Sequence, residues 1–332
     1  MLYRRLGRTE IQVSAVALGC WAISTKDFFW DGQVREDSLL AIRASLDAGV
    51  NFFDTAPAYG DGESEQILGE ALGQRRKEVV VATKVLPSNL EPAALRQSCE
   101  ASLRALGSDY IDLYQVHWPN PKLPWEATYR TLEALQAEGK IRVIGVSNFG
   151  VSYLDEVCGL GRVETNQVPY SLLWRAIEFE ILPRCVEDEI GVLCYSPLCQ
   201  GLLTGKFRTP EEVPDKRARS RLFSAQRAMT RHGEPGCQAE TFKALAGLSA
   251  IAAEMGQPLG RVAMAWLLRQ PGVTAVAAGA RNAAQAAENA RAADLKIDDR
   301  MAERLAGVTD EVKDMIGANA DPWEHVSRME RP

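Results

Sequence analysis

The sequence predicts an α/β fold, a (β/α)8 TIM barrel with an N-terminal β-hairpin and long loops over the C-terminal face. Three observations predict it. Short apolar runs rich in β-branched residues recur eight times along the 332 residues. Segments with helical apolar spacing lie between them, several closed by a glycine. No low-complexity tract or linker interrupts the alternation, so residues 1–332 read as one domain.

The elements follow in order. RRLG (4–7) and IQVS (11–14), joined by a turn, predict a hairpin placed to cover the barrel floor. The candidate strands are AVALG (15–19), NFFD (51–54), EVVVATK (78–84), YIDLYQVH (110–117), IRVIGVS (141–147), VETNQ (163–167), IGVLCYS (190–196) and VTAVAAG (273–279). Nearly continuous apolar strands are what a parallel sheet buried on both faces requires. Between them, Leu39, Ile42 and Leu46 share one helical face and Gly49 follows. Leu95, Cys99, Leu103 and Leu106 do the same before Gly107, and Leu132 and Leu135 before Gly139. A glycine just past the last turn can take the left-handed conformation that ends a helix. Eight strand–helix repeats close into a barrel; an open doubly wound sheet is the competing arrangement. Residues 206–240, rich in Arg, Pro, Ser and Gly, predict a long loop after the seventh strand.

Composition narrows the function. The 38 basic and 44 acidic residues are well mixed and leave a net charge of −6. No basic run points to nucleic acid or an anionic membrane. The start, MLYRRLGRTE, has charges but no apolar core after them, so no signal peptide is expected. No stretch approaches the roughly 18 apolar residues of a membrane span. Seven cysteines without CxxC spacing suit a reducing cytoplasm. The three histidines stand far apart at 117, 232 and 325, so no metal site is expected.

In a barrel of this kind the active site lies at the C-terminal ends of the strands. Asp54 ends the second strand and Tyr59 stands in the loop after it; Lys84 ends the third strand and His117 the fourth. Singly each has an ordinary use: a turn cap, a rim aromatic, a lysine reaching solvent, a structural histidine. Together, on consecutive strands, they can be one another's partners. A free phenol titrates near 10 and donates its proton poorly at neutrality. A nearby ammonium stabilises the phenolate and lowers that value. Lys84 can supply the ammonium and Asp54 can hold it, while His117 can orient a carbonyl oxygen or tune the phenol. The set describes a general acid aimed at a carbonyl.

DTAPAYG, the Lys84 of VVVATKV and HWP at 117–119 resemble the Asp–Tyr–Lys–His set of the aldo-keto reductase superfamily. The likeness runs from GRTEIQVSAVALG to GARNAAQAAEN, and GLLTGKF with the GAR…Q…EN ending is similar to its bacterial-type, potassium-channel-β-like branch. The resemblance implies a (β/α)8 barrel that reduces aldehydes or ketones with NADPH. It also implies Tyr59 as acid, Lys84 and Asp54 as its tuning pair, and His117 as carbonyl orienter. Some members of this fold are instead cofactor-holding regulatory subunits of a membrane protein. A lyase using Lys84 as a Schiff-base amine is a third reading.

The cofactor reading rests on further residues. No GxGxxG lies between a strand and a helix. Ser147, Asn148 and Gln167 stand at strand ends and can hydrogen-bond a nicotinamide carboxamide. Tyr195 can stack on that ring, and Trp21 stands beside it. SPLCQGLLTGK offers Ser196, Leu198, Gln200, Gly201 and Lys206 to a pyrophosphate. GARNAAQAAEN begins at Gly279; its Arg281 can grip a 2′-phosphate or stack on adenine, and Gln285, Glu288 and Asn289 can reach the adenosine. NADP(H) is the cofactor expected. Trp21, Trp30 and Trp118 can line an apolar substrate pocket or pack under their own loops, and Trp323 can fold over it. The expected partner is a small carbonyl compound, and the expected assembly a monomer or small homo-oligomer.

Overall fold

Alternating apolar strands and amphipathic helices close on themselves in the computed structural model, which describes residues 1–331. The chain opens with a hairpin, β1 (Tyr3–Arg5) and β2 (Gln12–Ser14), paired antiparallel. Both strands are shorter than their sequence runs. The turn begins early, at Leu6, whose N–H meets Ile11 O at 2.9 Å. Leu6 and Val13 are buried against Phe52, Val80, Leu113 and Leu193, so the hairpin plugs the barrel floor.

Eight parallel strands follow: β3 (Val16–Gly19), β4 (Phe52–Asp54), β5 (Val80–Val85), β6 (Ile111–Val116), β7 (Ile141–Ser147), β8 (Thr165–Pro169), β9 (Gly191–Tyr195) and β10 (Val273–Gly279). They pair in sequence order, and β10 returns to β3, closing the barrel. Strand alternation divides the apolar residues. Phe52, Val80, Ala82 and Leu113 fill the barrel interior. Phe53, Val81 and Tyr114 face the helical layer. That layer comprises α1 (Arg35–Asp47), α2 (Glu63–Leu72), α3 (Pro92–Leu106), α4 (Trp125–Ala137), α5 (Val151–Cys158), α6 (Ile181–Glu187), α7 (Gln238–Glu254), α8 (Leu259–Arg269) and α9 (Ala283–Ala290). Gly107 ends α3 at φ +58°, the left-handed cap expected of it.

Most strand bounds shift by a residue or two, and two boundaries matter most here. The sixth barrel strand starts at Thr165 and runs past Gln167 to Pro169. The long loop ends at Gln238, where α7 begins. Arginines brace it: Arg227 within the loop, donating to Pro210 O and Val213 O, and Arg221 against the C-terminal segment, donating to Asn319 O and Ile316 O. After α10 (Asp299–Gly307) and α11 (Asp310–Ile316) the tail crosses the top of the barrel. Trp174 Nε1 donates to Ala320 O, and the Glu330 carboxylate accepts from the first amides of α5 at 2.7 and 3.0 Å. Among the described residues no helix is long and apolar enough to cross a membrane.

Candidate active site

The register of three neighbouring strands sets the centre. Asp54 closes β4, Lys84 is one residue short of the end of β5, and His117 follows β6. Thr55 N donates to Ala82 O at 2.8 Å, carrying the strand pairing one residue past Asp54 before the chain turns. Gly60 then passes so close to Ser24 that a Cβ would lie 1.7 Å from its Oγ. This tight corner leaves Tyr59 over the barrel mouth.

Lys84 is fully buried. Its Nζ donates to Asp54 Oδ1 at 2.7 Å, to Thr55 O at 2.9 Å and to the Tyr59 hydroxyl at 3.4 Å. The His117 ring meets the Tyr59 ring edge-on with centroids 6.0 Å apart. Asp54 Oδ2 accepts from Gln167 Nε2 at 2.7 Å and Gln115 Nε2 at 3.2 Å. Gln115, one residue short of the end of β6, reaches Asp54 and had no motif to mark it.

Electrostatics follow from burial. Burial pulls the Lys84 ammonium down, but Asp54 and Tyr59 together outweigh it, and Lys84 is held charged above its usual value. Tyr59 is pushed above its usual value, chiefly by burial, with the pull of Lys84 second and Asp54 opposing. That net direction is opposite to the one expected from an ammonium neighbour alone. His117 is pushed down to about 3 by burial, then by the Lys84 charge. It is therefore neutral near pH 7, and its Nδ1 is buried without a partner.

Around the centre, the predicted cofactor residues form connected groups. Ser147 Oγ donates to Gln167 O at 2.9 Å, Asn148 Nδ2 to His117 O at 3.0 Å, and the Tyr195 hydroxyl to Asn148 Oδ1 at 2.9 Å. After Tyr195 the backbone enters the left-handed region at Ser196, Cys199, Gln200 and Gly201. Leu198 O accepts from Gly201 N and Leu203 N, which tightens this turn. The Gln200 amide is buried with neither atom bonded. A Cβ at Gly201 would lie 3.0 Å from Lys206 Nζ, so the ammonium lies directly over the turn.

Arg281 Nη2 donates to Asp31 O at 2.8 Å and its Nε to Gln33 Oε1 at 2.9 Å. Gln285 Oε1 accepts from Arg281 N at 2.9 Å, and Asn289 Nδ2 donates to Gly279 O at 3.1 Å. Glu288 is held by both Nη2 and Nε of Arg261. Among the described residues Lys206, Arg217 and Arg281 meet no carboxylate within ion-pair range. Burial, then Arg217 and Arg281, pulls Lys206 below its usual value, so these cations sense one another. Arg217 was hidden in the aperiodic loop; only its arginine-rich setting hinted at it.

The aromatics form the rim. Trp21 stacks on Tyr59 with centroids 6.0 Å apart and donates from Nε1 to Asp27 at 2.6 Å. Trp30 meets Trp21 edge-on, and the Arg217 guanidinium lies 3.5 Å over it. Trp323 shares a cleft with Tyr195, Gln200 and Arg217. Trp118 is half-buried on the core, under the guanidinium of Arg328. Glu63 fastens this rim: its carboxylate accepts from Ser24 Oγ, Thr25 N and Lys26 N, ahead of Asp27.

The sequence profile of the Aldo/keto reductase family matches residues 15–310. Aldo-keto reductase YhdN of Bacillus subtilis (strain 168) is 37% identical over 300 residues, covering 86% of this chain and 86% of its own length. The NADH-specific methylglyoxal reductase of Escherichia coli (strain K12) is 34% identical over 319 residues, covering 89% and 94%. A solved aldo/keto reductase from Klebsiella pneumoniae, in complex with NADP and acetate, superposes with a TM-score of 0.73 at 29% identity, covering 92% of this chain and 95% of that one. A profile match over most of the barrel and relatives of this identity over most of their length lead to one conclusion: the chain belongs to the aldo/keto reductase family of oxidoreductases.

Proposed function

We propose that this chain reduces an aldehyde or ketone to an alcohol, reversibly, with NADPH. The observation that carries the reading is the contact of Tyr59, Lys84 and Asp54 at one strand-end mouth beside His117. When bound, the nicotinamide supplies a hydride to the carbonyl carbon or takes one from the alcohol.

The residues present fit such a cofactor. Three cations without carboxylate partners, Lys206, Arg217 and Arg281, suit its phosphates, and the unbonded Gln200 amide suits its polar groups. Ser147, Asn148 and Gln167 would hold the carboxamide, with Tyr195 and Trp21 beside the ring. NADPH rather than NADH rests on Arg281, whose guanidinium meets a carbonyl and an amide but no acid. The seven unbridged cysteines support a reducing, cytoplasmic setting.

The protein's own chemistry is proton handling. Tyr59 keeps its proton at neutral pH, as a donor must. As the proton passes to the carbonyl oxygen, the phenolate left behind is compensated by Lys84, which Asp54 keeps charged. Neutral His117 beside Tyr59 orients that oxygen. NADPH consumption on a panel of aromatic aldehydes, aliphatic aldehydes and sugars tests this. Tyr59→Phe should lower kcat by about 10²–10⁴-fold with NADPH affinity nearly unchanged; retained turnover removes Tyr59 from its role. NADPH binding without turnover on any carbonyl favours the cofactor-holding regulatory reading.

A further inference from the structure

Arginines outside the centre mostly meet acids: Arg175 pairs with Glu178, Arg221 with Glu234, Arg261 with Glu288 and Arg328 with Asp321. Arg219 does not. Among the described residues its half-buried side chain makes one hydrogen bond, from Nε to Lys216 O at 2.9 Å, and no ion pair. Its two terminal nitrogens, which carry four of the five N–H donors of a guanidinium, have no protein acceptor.

Rings surround it instead. The guanidinium lies 3.7 Å from the Phe29 centroid, 4.8 Å from Trp323 and 6.0 Å from Trp21. Trp21 in turn stacks on Tyr59. The charges around Arg219 are mainly of its own sign: burial, then Arg231 and Arg217, pull it down to about 10. The nearby Asp27 carboxylate is engaged with Trp21 Nε1 and Phe29 N. A partly desolvated cation that keeps open donors and lacks an acid is costly unless an anion comes to it. On the reading above, Lys206, Arg217 and Arg281 have the phosphates of the cofactor to meet; Arg219 lies against Trp21, the ring that stacks on Tyr59.

We infer that Arg219 receives an anionic group, a carboxylate or phosphate, at the end of the substrate remote from its carbonyl. The site accordingly prefers anionic aldehydes or ketones to neutral ones of the same length. This rests on the reductase reading above, and the experiment separates the two.

Kinetics on matched pairs test it: 4-oxobutanoate against butanal for a carboxylate, and glyceraldehyde 3-phosphate against glyceraldehyde for a phosphate. In the wild type kcat/KM for at least one anionic member should exceed its neutral partner by about tenfold or more, as a charge-assisted bidentate contact implies. Arg219→Met, which keeps an aliphatic stem against Phe29, should bring that ratio toward one, and Arg219→Lys should retain part of it. Equal use of both members in the wild type overturns the inference. So does a ratio unchanged in Arg219→Met, or an NADPH Kd that rises by the factor the ratio falls, which would give Arg219 to the cofactor. If no carbonyl is reduced, the reductase reading fails, and the anion site is judged by binding alone. Succinate or inorganic phosphate, added with NADPH present, should change tryptophan fluorescence in the wild type and not in Arg219→Met. An identical response in both proteins overturns it.

Discussion

Breaking the Asp54–Lys84 pair from each side gives the most direct test of the centre. The two groups are 2.7 Å apart, with Lys84 fully buried and Asp54 nearly so. At an effective dielectric of about 20 their attraction is about 6 kcal/mol, most of which offsets the cost of taking both ions out of water. The consequence is asymmetric. Lys84→Met leaves a buried carboxylate with only two glutamine amides, and Asp54→Asn leaves a buried ammonium with a carbonyl and a phenol. Each single change should cost about 3–5 kcal/mol of stability. The double variant buries no net charge, so it should cost far less than the two singles together, with a coupling of at least about 3 kcal/mol. Urea unfolding of the four proteins, followed by far-ultraviolet circular dichroism, measures this. Additive losses, with a coupling under about 0.5 kcal/mol, would refute a charged pair. They would mean that Lys84 is held neutral and cannot compensate a Tyr59 phenolate.

Two further outcomes are expected. Arg281→Ala should weaken NADPH by roughly 10- to 100-fold, the loss of a charged hydrogen bond or two, with NADH much less affected; equal weakening of both in a fluorescence titration would remove Arg281 from 2′-phosphate recognition. His117 should give no ionisation step in kcat/KM between pH 5 and 8, because burial and Lys84 hold its folded value near 3. The sign for stability follows from that depression. The unfolded chain takes up a proton below about 6.5 that the folded chain refuses until about 3, so stability falls as pH drops through this window. His117→Asn should flatten that acid limb, and a step near 6.5 in the wild-type rate that vanishes in His117→Asn would contradict the neutral assignment.

Much of the fold was legible because β-branched runs and helical apolar spacing are local signals, and eight such runs with helical segments between several of them leave few arrangements. The tetrad was legible for a related reason: an ionisable residue closing an apolar strand stands out against it. Gln115 did not, since a glutamine inside YIDLYQV carries no spacing cue and matters only through its approach to Asp54. Glu63 stands in the first turn of α2, where an acid carries no special signal, yet it holds Ser24, Thr25 and Lys26 across 37 or more positions of sequence. Arg217 and Arg219 lie in a segment without periodicity, where only the fold decides which rings they meet. The direction of the Tyr59 shift escaped for a different reason. Burial is a property of the assembled mouth, and it outweighs the ammonium that the sequence announces.

The closing order of the barrel also divides its labour. Asp54, Tyr59, Lys84 and His117 all belong to β4–β6 and their loops, within one run of adjacent strands. Ser147, Gln167, Tyr195, Lys206, Arg217 and Arg281 all come from the other half, and Gln167 reaches across to Asp54. On the roles proposed above, proton chemistry lies on β4–β6 and most of the cofactor contacts on β7–β10, with Trp21 after β3 as the exception and Asn148 bonded to His117 O across the seam. On those proposed roles, substitutions confined to the second half would change the nicotinamide coenzyme while leaving the first intact. A chimera joined between β6 and β7 would inherit its acid from one parent and its coenzyme from the other.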